Sequence, residues 1–322
     1  MTSRDRVRAV FEGKKPDRPP FNFWMDRDAM ARLDRELGED FRVSYFGADV
    51  IEAFGAADIF PTAKGEYYFD GKTSWMLRGK ADRIEDALEF PLCDPADPAI
   101  YADIEAKRRR YPDKAIFTLV TVPLGLLNTL LLPEQLMEAM ALSGDVIDQV
   151  LQRAWPVMRE VIRRVCAMDT DVLYLAEDFC MNTGMMYSPA MVRRFHFDYL
   201  REAADIARRA GKKVFYHTDG RVIEALPLIL ELGADGVNPL EPRYNPPEEF
   251  LRASEGRLML YGGMDNARIL PDGTPEEIEE HIRRVYGAFA ATGLIFSSHD
   301  IPGHAPLENL EAMARAIKSI RP

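Results

Sequence analysis

The chain has 322 residues, 47% hydrophobic and 29% charged, and its 52 acidic against 41 basic side chains leave a formal charge of −11. A field of that sign excludes nucleic acid and anionic membrane as general partners, because any basic patch would act against the whole molecule. Three scattered cysteines, Cys93, Cys166 and Cys180, exclude a disulfide framework and suit a reducing cytoplasm, and the charged opening Met1-Thr2-Ser3-Arg4-Asp5-Arg6 is unlike a secretory signal.

Eight apolar runs read as strands, each followed by helical sequence. The first, 20–24, is followed by Asp26 and Arg27, and the second, 49–54, starts on the turn Gly47-Ala48-Asp49. Residues 60–97 then break the rhythm: Tyr67-Tyr68-Phe69 and Trp75-Met76-Leu77 flank Asp70-Gly71, a hairpin signal, so the segment reads as an insertion able to cover a barrel mouth. Residues 116–132 carry no charge and approach the length of a membrane span, but Pro123, Gly125 and Asn128 divide them into a strand at 116–122, a turn and the start of a helix. The fourth strand, 171–176, leads into Glu177-Asp178, and the fifth, 213–217, ends on His217 and is followed by Asp219-Gly220. The sixth, 236–240, precedes Glu241; the seventh, 258–262, precedes Asp265; the eighth, 294–298, precedes His299-Asp300. Helical patterns such as 191–210 and 275–291 fill the intervals, and the turns before 171, 235 and 294 repeat the small-residue stop expected of αβ loops. Eight units in one chain, with no GxGxxG fingerprint, argue for an α/β (β/α)8 TIM barrel rather than a doubly wound sheet. Residues 1–322 thus read as one domain with a small hairpin insertion after strand 2, at about 60–97.

In that fold one rim collects Asp26, Arg27, Glu177, Asp178, His217, Asp219, Glu241, Asp265, His299 and Asp300. Carboxylates this crowded need a cation, a shared proton or an arginine, so the functional expectation is a metal or acid/base site. Each residue also has an ordinary reading. His217 may be a donor to a barrel carbonyl and Asp219 a helix cap; Cys180 is either a soft ligand or a small buried hydrophobe; the methionines around Met185 read as pocket wall. Glu241, held between Leu240 and Pro242 in a rigid turn, reads as functional. His196 and His281, on helices, read as surface or packing residues, and His304 as a loop residue.

At these residues the chain resembles the uroporphyrinogen decarboxylase superfamily, which also contains zinc-dependent, corrinoid-linked methyltransferases. The resemblance runs over almost the whole length: the opening segment 4–20, Ala176-Glu177-Asp178, the stretch from Thr183 to Pro189, Phe215 to Gly220, Asn238-Pro239-Leu240-Glu241, Tyr261 to Asp265, and His299 nine residues before Glu308-Asn309. It implies a (β/α)8 barrel with its pocket at the strand carboxyl ends. The decarboxylases use no cofactor and bind a polycarboxylate tetrapyrrole through an arginine-rich segment after strand 1; here that segment offers Arg27 between Asp26 and Asp28, and Asp49 or Asp58 would be the pyrrole-binding aspartate. The thiol-activating methyltransferases carry His-x-Cys, whereas this chain has His217-Thr218-Asp219. The resemblance therefore implies a zinc on harder ligands, with His217, Glu241 and Cys180, Glu177, Asp178 or Asp219 as the candidate set.

The expected activity is zinc-dependent transfer of a methyl group from a small methoxy-like substrate to a separate corrinoid protein, since no cobalamin-binding segment is present. Asp178, Glu177, His299 and Asp265 are the expected catalytic or orienting groups, and Trp24, Arg27, Tyr187, Asp219 and Met185 the expected substrate contacts. A cofactor-free decarboxylase using Arg27, Asp58 and His299 is the alternative, and a non-catalytic ligand-binding barrel the third reading. A cytoplasmic homodimer is compatible with all three.

Overall fold

The computed structural model describes residues 1–70 and 74–322. Seven strands form one parallel sheet: β1 (Val50–Phe54), β4 (Ala115–Val120), β5 (Val172–Ala176), β8 (Lys213–His217), β9 (Gly236–Asn238), β10 (Met259–Gly263) and β11 (Leu294–Ser297), in that spatial order. Parallel neighbours must be joined by crossovers, and helices such as Gly144–Ala167, Asp198–Arg209, Pro275–Phe289 and Leu307–Ser319 supply them. An antiparallel ladder of β2 (Glu66–Phe69) and β3 (Ser74–Arg78) follows β1, and a two-residue pair, β6 (Cys180–Met181) with β7 (Gly184–Met185), follows β5. The turn expected at Asp70-Gly71 lies partly outside the described residues. No described helix is long and apolar enough to cross a membrane.

The expected first strand at 20–24 forms no continuous ladder. Phe21 and Met25 make isolated parallel bridges to Phe296 and Ile301. Pro19 and Pro20 bring no N–H to the start of this segment, and the gap between the two bridges falls after them, at 22–24. The segment nevertheless reaches both ends of the sheet: Asn22 N–H donates to Phe296 O at 2.9 Å, and Asp49 N–H to Phe21 O at 2.8 Å.

One device recurs where strands begin. Asp49 donates its N–H to Phe21 O and accepts the Phe21 N–H on its carboxylate at 3.0 Å. Asp171 does the same to Ile116 and Asp235 to Val214. Each aspartate thereby clasps one residue of the preceding stave at two points and fixes its register. Each is also paired with cations: Asp49 with Arg6 and Arg18, Asp171 with Arg4 and Arg108, and Asp235 with Lys213. The sequence reading offered Asp49 as a ligand-binding aspartate; it sits at the amino ends of the strands, away from the rim, and is fully committed to Arg6, Arg18 and Phe21.

The larger core fills the space between the sheet and its helices, and a second cluster fills the inside of the curl. Val7 and Val10 of the helix Ser3–Phe11 meet Val50, Phe117, Val172, Phe215, Tyr261 and Ile295 there. Side chains alternate along a strand, so Phe215 pointing inward carries His217 inward as well. Burying each of Val7 and Val10 contributes about 1.5–3 kcal/mol. The apolar plug leaves the carboxyl end of the sheet as the place where polar groups face one another.

Candidate functional site

Above the apolar layer, Tyr174 from β5, His217 from β8, Asn238 from β9 and Tyr261 from β10 form a buried polar layer. Asn238 Nδ2 donates to Tyr261 O at 2.7 Å, which turns Asn238 Oδ1 toward His217 Nδ1 at 2.8 Å. That oxygen also accepts the Tyr174 hydroxyl, whose oxygen lies 3.0 Å from His217 Nδ1. Oδ1 can only accept, so the His217 proton is assigned to Nδ1 and the Nε2 lone pair faces the rim. Nε2 there lies 3.5 Å from Asp178 Oδ1. Burial, reinforced by the charge on His299, holds the His217 pKa below its ordinary value, in keeping with a neutral ring.

His299 follows β11 and its ring centre lies 4.7 Å from that of His217. Its Nδ1 is 3.1 Å from Asp219 Oδ1 and 3.4 Å from Asp300 Oδ2. Burial alone would lower the His299 pKa, but the neighbouring carboxylates, Asp219 foremost, lift it to about 9. Burial would raise Asp219, and the two histidines hold it below the usual carboxylate range. Asp300 has φ 51°, a left-handed backbone that costs about 1–3 kcal/mol for a residue other than glycine and turns the chain directly after His299.

His217, Asp219 and His299 each bring one ligand atom to within 4.8 Å of the others. Asp219 Oδ1 is buried and has no aligned hydrogen-bond donor among the described residues, so its compensation comes from the two histidines, His299 foremost. Two imidazoles and a carboxylate, with one carboxylate oxygen left without an aligned donor, fit the donor set of a three-ligand catalytic zinc centre. The Asn238 contact to His217 supplies the outer support such a ligand needs.

The other expected site residues divide. Glu241 and Cys180, read as partners of His217, lie outside that cluster. Glu241 accepts the Gly220 N–H at 2.7 Å, and burial raises its pKa. The Cys180 thiol is buried, and burial pushes its pKa up to about 12. Asp178 stays half-exposed and accepts the Asp219 N–H at 3.1 Å. Glu177 is fully buried, accepting Leu124 N–H at 2.6 Å and the Tyr216 hydroxyl at 3.3 Å; burial takes its pKa to about 8, so it is largely protonated at neutral pH. Asp265 accepts the N–H groups of Ala267 and Arg268, both at 2.9 Å, and so shapes its own turn. Tyr187 is buried and Met185 half-buried, both packed with the main core. His196 and His281 are buried, not surface residues, and His281 Nε2 is 2.8 Å from Gly263 O.

Trp24 stacks against His299 with centres 5.3 Å apart and lines a cavity of about 580 Å³ with Asp26, Arg27, Arg42, Glu52 and Asp300. Two of its walls, Trp24 and Asp300, are also neighbours of His299, so the cavity opens beside the cluster. At its floor, buried Glu52 accepts Tyr261 Oη at 2.7 Å and pairs with Arg42 at 3.0 Å. The sequence reading did not single out Tyr174, Tyr261, Glu52 or Asn22. The available signal was alternation: Tyr174 and Glu52 share the inward parity of Val172 and Val50.

The description uroporphyrinogen decarboxylase (URO-D) matches residues 79–320 of the chain. Among solved structures, a methyltransferase from Methanosarcina mazei superposes with a TM-score of 0.75 at 16% identity, covering 98% of each chain. An endo-β-1,4-xylanase from Gloeophyllum trabeum gives a TM-score of 0.51 at 13% identity, covering 98% of this chain and 100% of the other. A B12-independent methionine synthase from Shewanella gives 0.50 at 15% identity, covering 90% and 87%. At these identities the likeness is one of fold, an α/β architecture of TIM-barrel type. No curated protein matches the sequence significantly.

Proposed function

The chain belongs to the uroporphyrinogen decarboxylase family, and from that premise we propose that it is a zinc-dependent methyltransferase moving a methyl group from a small methoxy-like substrate to a separate corrinoid protein. The reading takes residues 1–322 as one domain in the cytoplasm, with 20–24 as the first of eight staves of the barrel and 60–97 as an insertion after the second, at its mouth. It rests above all on one observation: three nitrogen and oxygen donors, His217, Asp219 and His299, gathered within 4.8 Å with a buried Asp219 oxygen that has no aligned hydrogen-bond donor among the described residues.

In this reading His217, through Nε2, Asp219 and His299 hold the zinc, and Glu241 and Cys180 stay outside its ligands. When bound, zinc supplies Lewis acidity toward the methylated heteroatom. Asn238 and Tyr174 keep the His217 lone pair aimed at the rim. Trp24 and Arg27 bind and orient the substrate from the adjoining cavity. The bond between the methyl carbon and the heteroatom breaks, the carbon bonds to the corrinoid acceptor, and the heteroatom takes up a proton. Asp178, half-exposed and 3.5 Å from His217 Nε2, is the carboxylate placed to relay that proton from solvent. The test is methyl transfer from methoxy compounds to a free corrinoid acceptor, with and without zinc and with the Asp219→Ala variant.

A second reading has an observation of its own. Without metal, His299 carries a proton at neutral pH against Asp219, which is what a decarboxylase needs to protonate a product carbanion. Release of carbon dioxide from a porphyrinogen by metal-free protein, lost in His299→Ala, would favour it over methyl transfer. Neither reaction in any assay would leave a ligand-binding barrel.

A further inference from the structure

We propose that a second cavity at the barrel mouth, at the carboxyl ends of β1, β4 and β5, is a binding site for an uncharged hydrocarbon group of the substrate, and that Phe54 sets specificity by dividing it from the charged cavity beside Trp24. The second cavity has a volume of about 580 Å³, within the range of ligand pockets. Phe54 ends β1, Val120 ends β4 and Ala176 ends β5, and all three line it. Ala176 is also the register neighbour of His217. This cavity therefore approaches the candidate zinc ligands through β5, whereas the charged one approaches them through Trp24 and Asp300.

The two linings differ in kind. The cavity beside Trp24 is walled by the acids Asp26, Glu52 and Asp300 and the bases Arg27, Arg42 and Lys107. The second is walled chiefly by Phe54, Ala57, Leu119, Val122, Leu126 and Ala176. Its cations are already engaged: Lys80 pairs with Asp58, and Lys64 Nζ donates to Pro61 O at 2.8 Å. Its threonine hydroxyls donate to carbonyls, Thr121 to Ala57 O at 2.8 Å and Thr129 to Leu126 O at 2.7 Å. A carboxylate entering here gives up water for groups that have partners, whereas a hydrocarbon group gains by leaving water.

Phe54 belongs to both linings, and as a large apolar side chain it is 51% exposed. It is nevertheless held. Its N–H donates to Asp103 Oδ2 at 2.7 Å, the same oxygen accepts Lys107 Nζ at 2.9 Å, and Nζ lies 5.2 Å from the Phe54 ring centre. One turn of the helix Ala102–Arg110 thus fixes the backbone of Phe54 and sets a cation against its ring. A ligand in the second cavity covers apolar surface that the ring otherwise leaves in water. Calling the bound group part of the substrate rests on the methyl-transfer reading; the site itself does not.

Equilibrium binding of 2-methoxynaphthalene to the full, metal-free chain, followed by probe fluorescence, tests it beside the anion 6-methoxy-2-naphthoate. Wild type should bind the neutral probe saturably and at least ~10-fold more tightly than the anion. Gly125→Leu fills the cavity from the helix Pro123–Leu130, where a Cβ meets nothing nearer than Ala176 O at 3.8 Å. That variant should bind the neutral probe at least ~10-fold more weakly. Phe54→Ala opens one compartment to the other and should cut the preference for the neutral probe to within ~3-fold. Circular dichroism of each variant checks that the fold is kept. No saturable binding by wild type, binding undiminished in folded Gly125→Leu, or a preference unchanged in folded Phe54→Ala would overturn the proposal. Absence of methyl transfer from every substrate counts against that reading alone, because the binding measurement needs neither zinc nor turnover.

Discussion

The two ends of the parallel strands carry the same kind of residue and treat it in opposite ways. At the amino ends, Asp49, Asp171 and Asp235 are each bound to a backbone N–H and to at least one Arg or Lys. At the carboxyl ends, Glu177, Asp178, Asp219 and Glu241 have no arginine or lysine partner among the described residues; they have backbone N–H groups, hydroxyls, histidines or a proton. A fully paired buried carboxylate holds structure together, and one left short of compensation costs stability unless a ligand supplies what is missing. The contrast separates the end that fixes the register from the end available for chemistry, and conservation is not needed to see it.

The contrast is broken most severely at the rim ligands. His217→Ala should remove the bound metal and reduce turnover by at least ~100-fold, measured as zinc per chain and as rate, while the urea midpoint of the metal-free protein moves little. Next comes the opposite end. Asp171→Ala takes one of two carboxylate partners from Arg4 and Arg108, which keep Asp169, and releases Ile116, so about 1–3 kcal/mol of stability should be lost in urea denaturation, with zinc per folded chain unchanged.

A pH series sharpens the comparison at Glu177. Its folded pKa, about 8, lies above the unfolded value near 4.5, so its contribution is fully present below that lower value and is lost as pH rises through 8. Metal-free protein should therefore lose a few kcal/mol between about pH 5 and pH 9 that Glu177→Gln does not lose. The smallest effect is expected at Glu241→Gln, which keeps an acceptor for the Gly220 N–H: a change within about 1 kcal/mol and undiminished zinc. Zinc lost in that variant would restore Glu241 as a ligand.

Much of this organisation was legible in the sequence, because a buried parallel strand is an apolar run and the polar residue after it falls at the carboxyl end. His217, Asp219 and His299 were all placed on the rim by that rule. Their mutual approach was not, since strand-end position says nothing of the distance across the sheet between β8 and β11. Glu241, expected beside His217 as a ligand, accepts the Gly220 N–H, a local contact that a strand-end pattern does not announce. The apolar run at 20–24 predicts a continuous ladder and makes two isolated bridges instead, because apolarity reports burial and not pairing. Tyr174 and Tyr261 do not stand out, since a tyrosine in an apolar run gives no sign of where its hydroxyl bonds.

The most direct test of the account is elemental analysis of the purified wild type beside His217→Ala and Asp171→Ala. The expected result is near-stoichiometric zinc in the wild type and in folded Asp171→Ala, and none in His217→Ala. Wild-type protein without metal even after zinc reconstitution, or zinc retained in His217→Ala, would contradict the assignment of the rim as a zinc site.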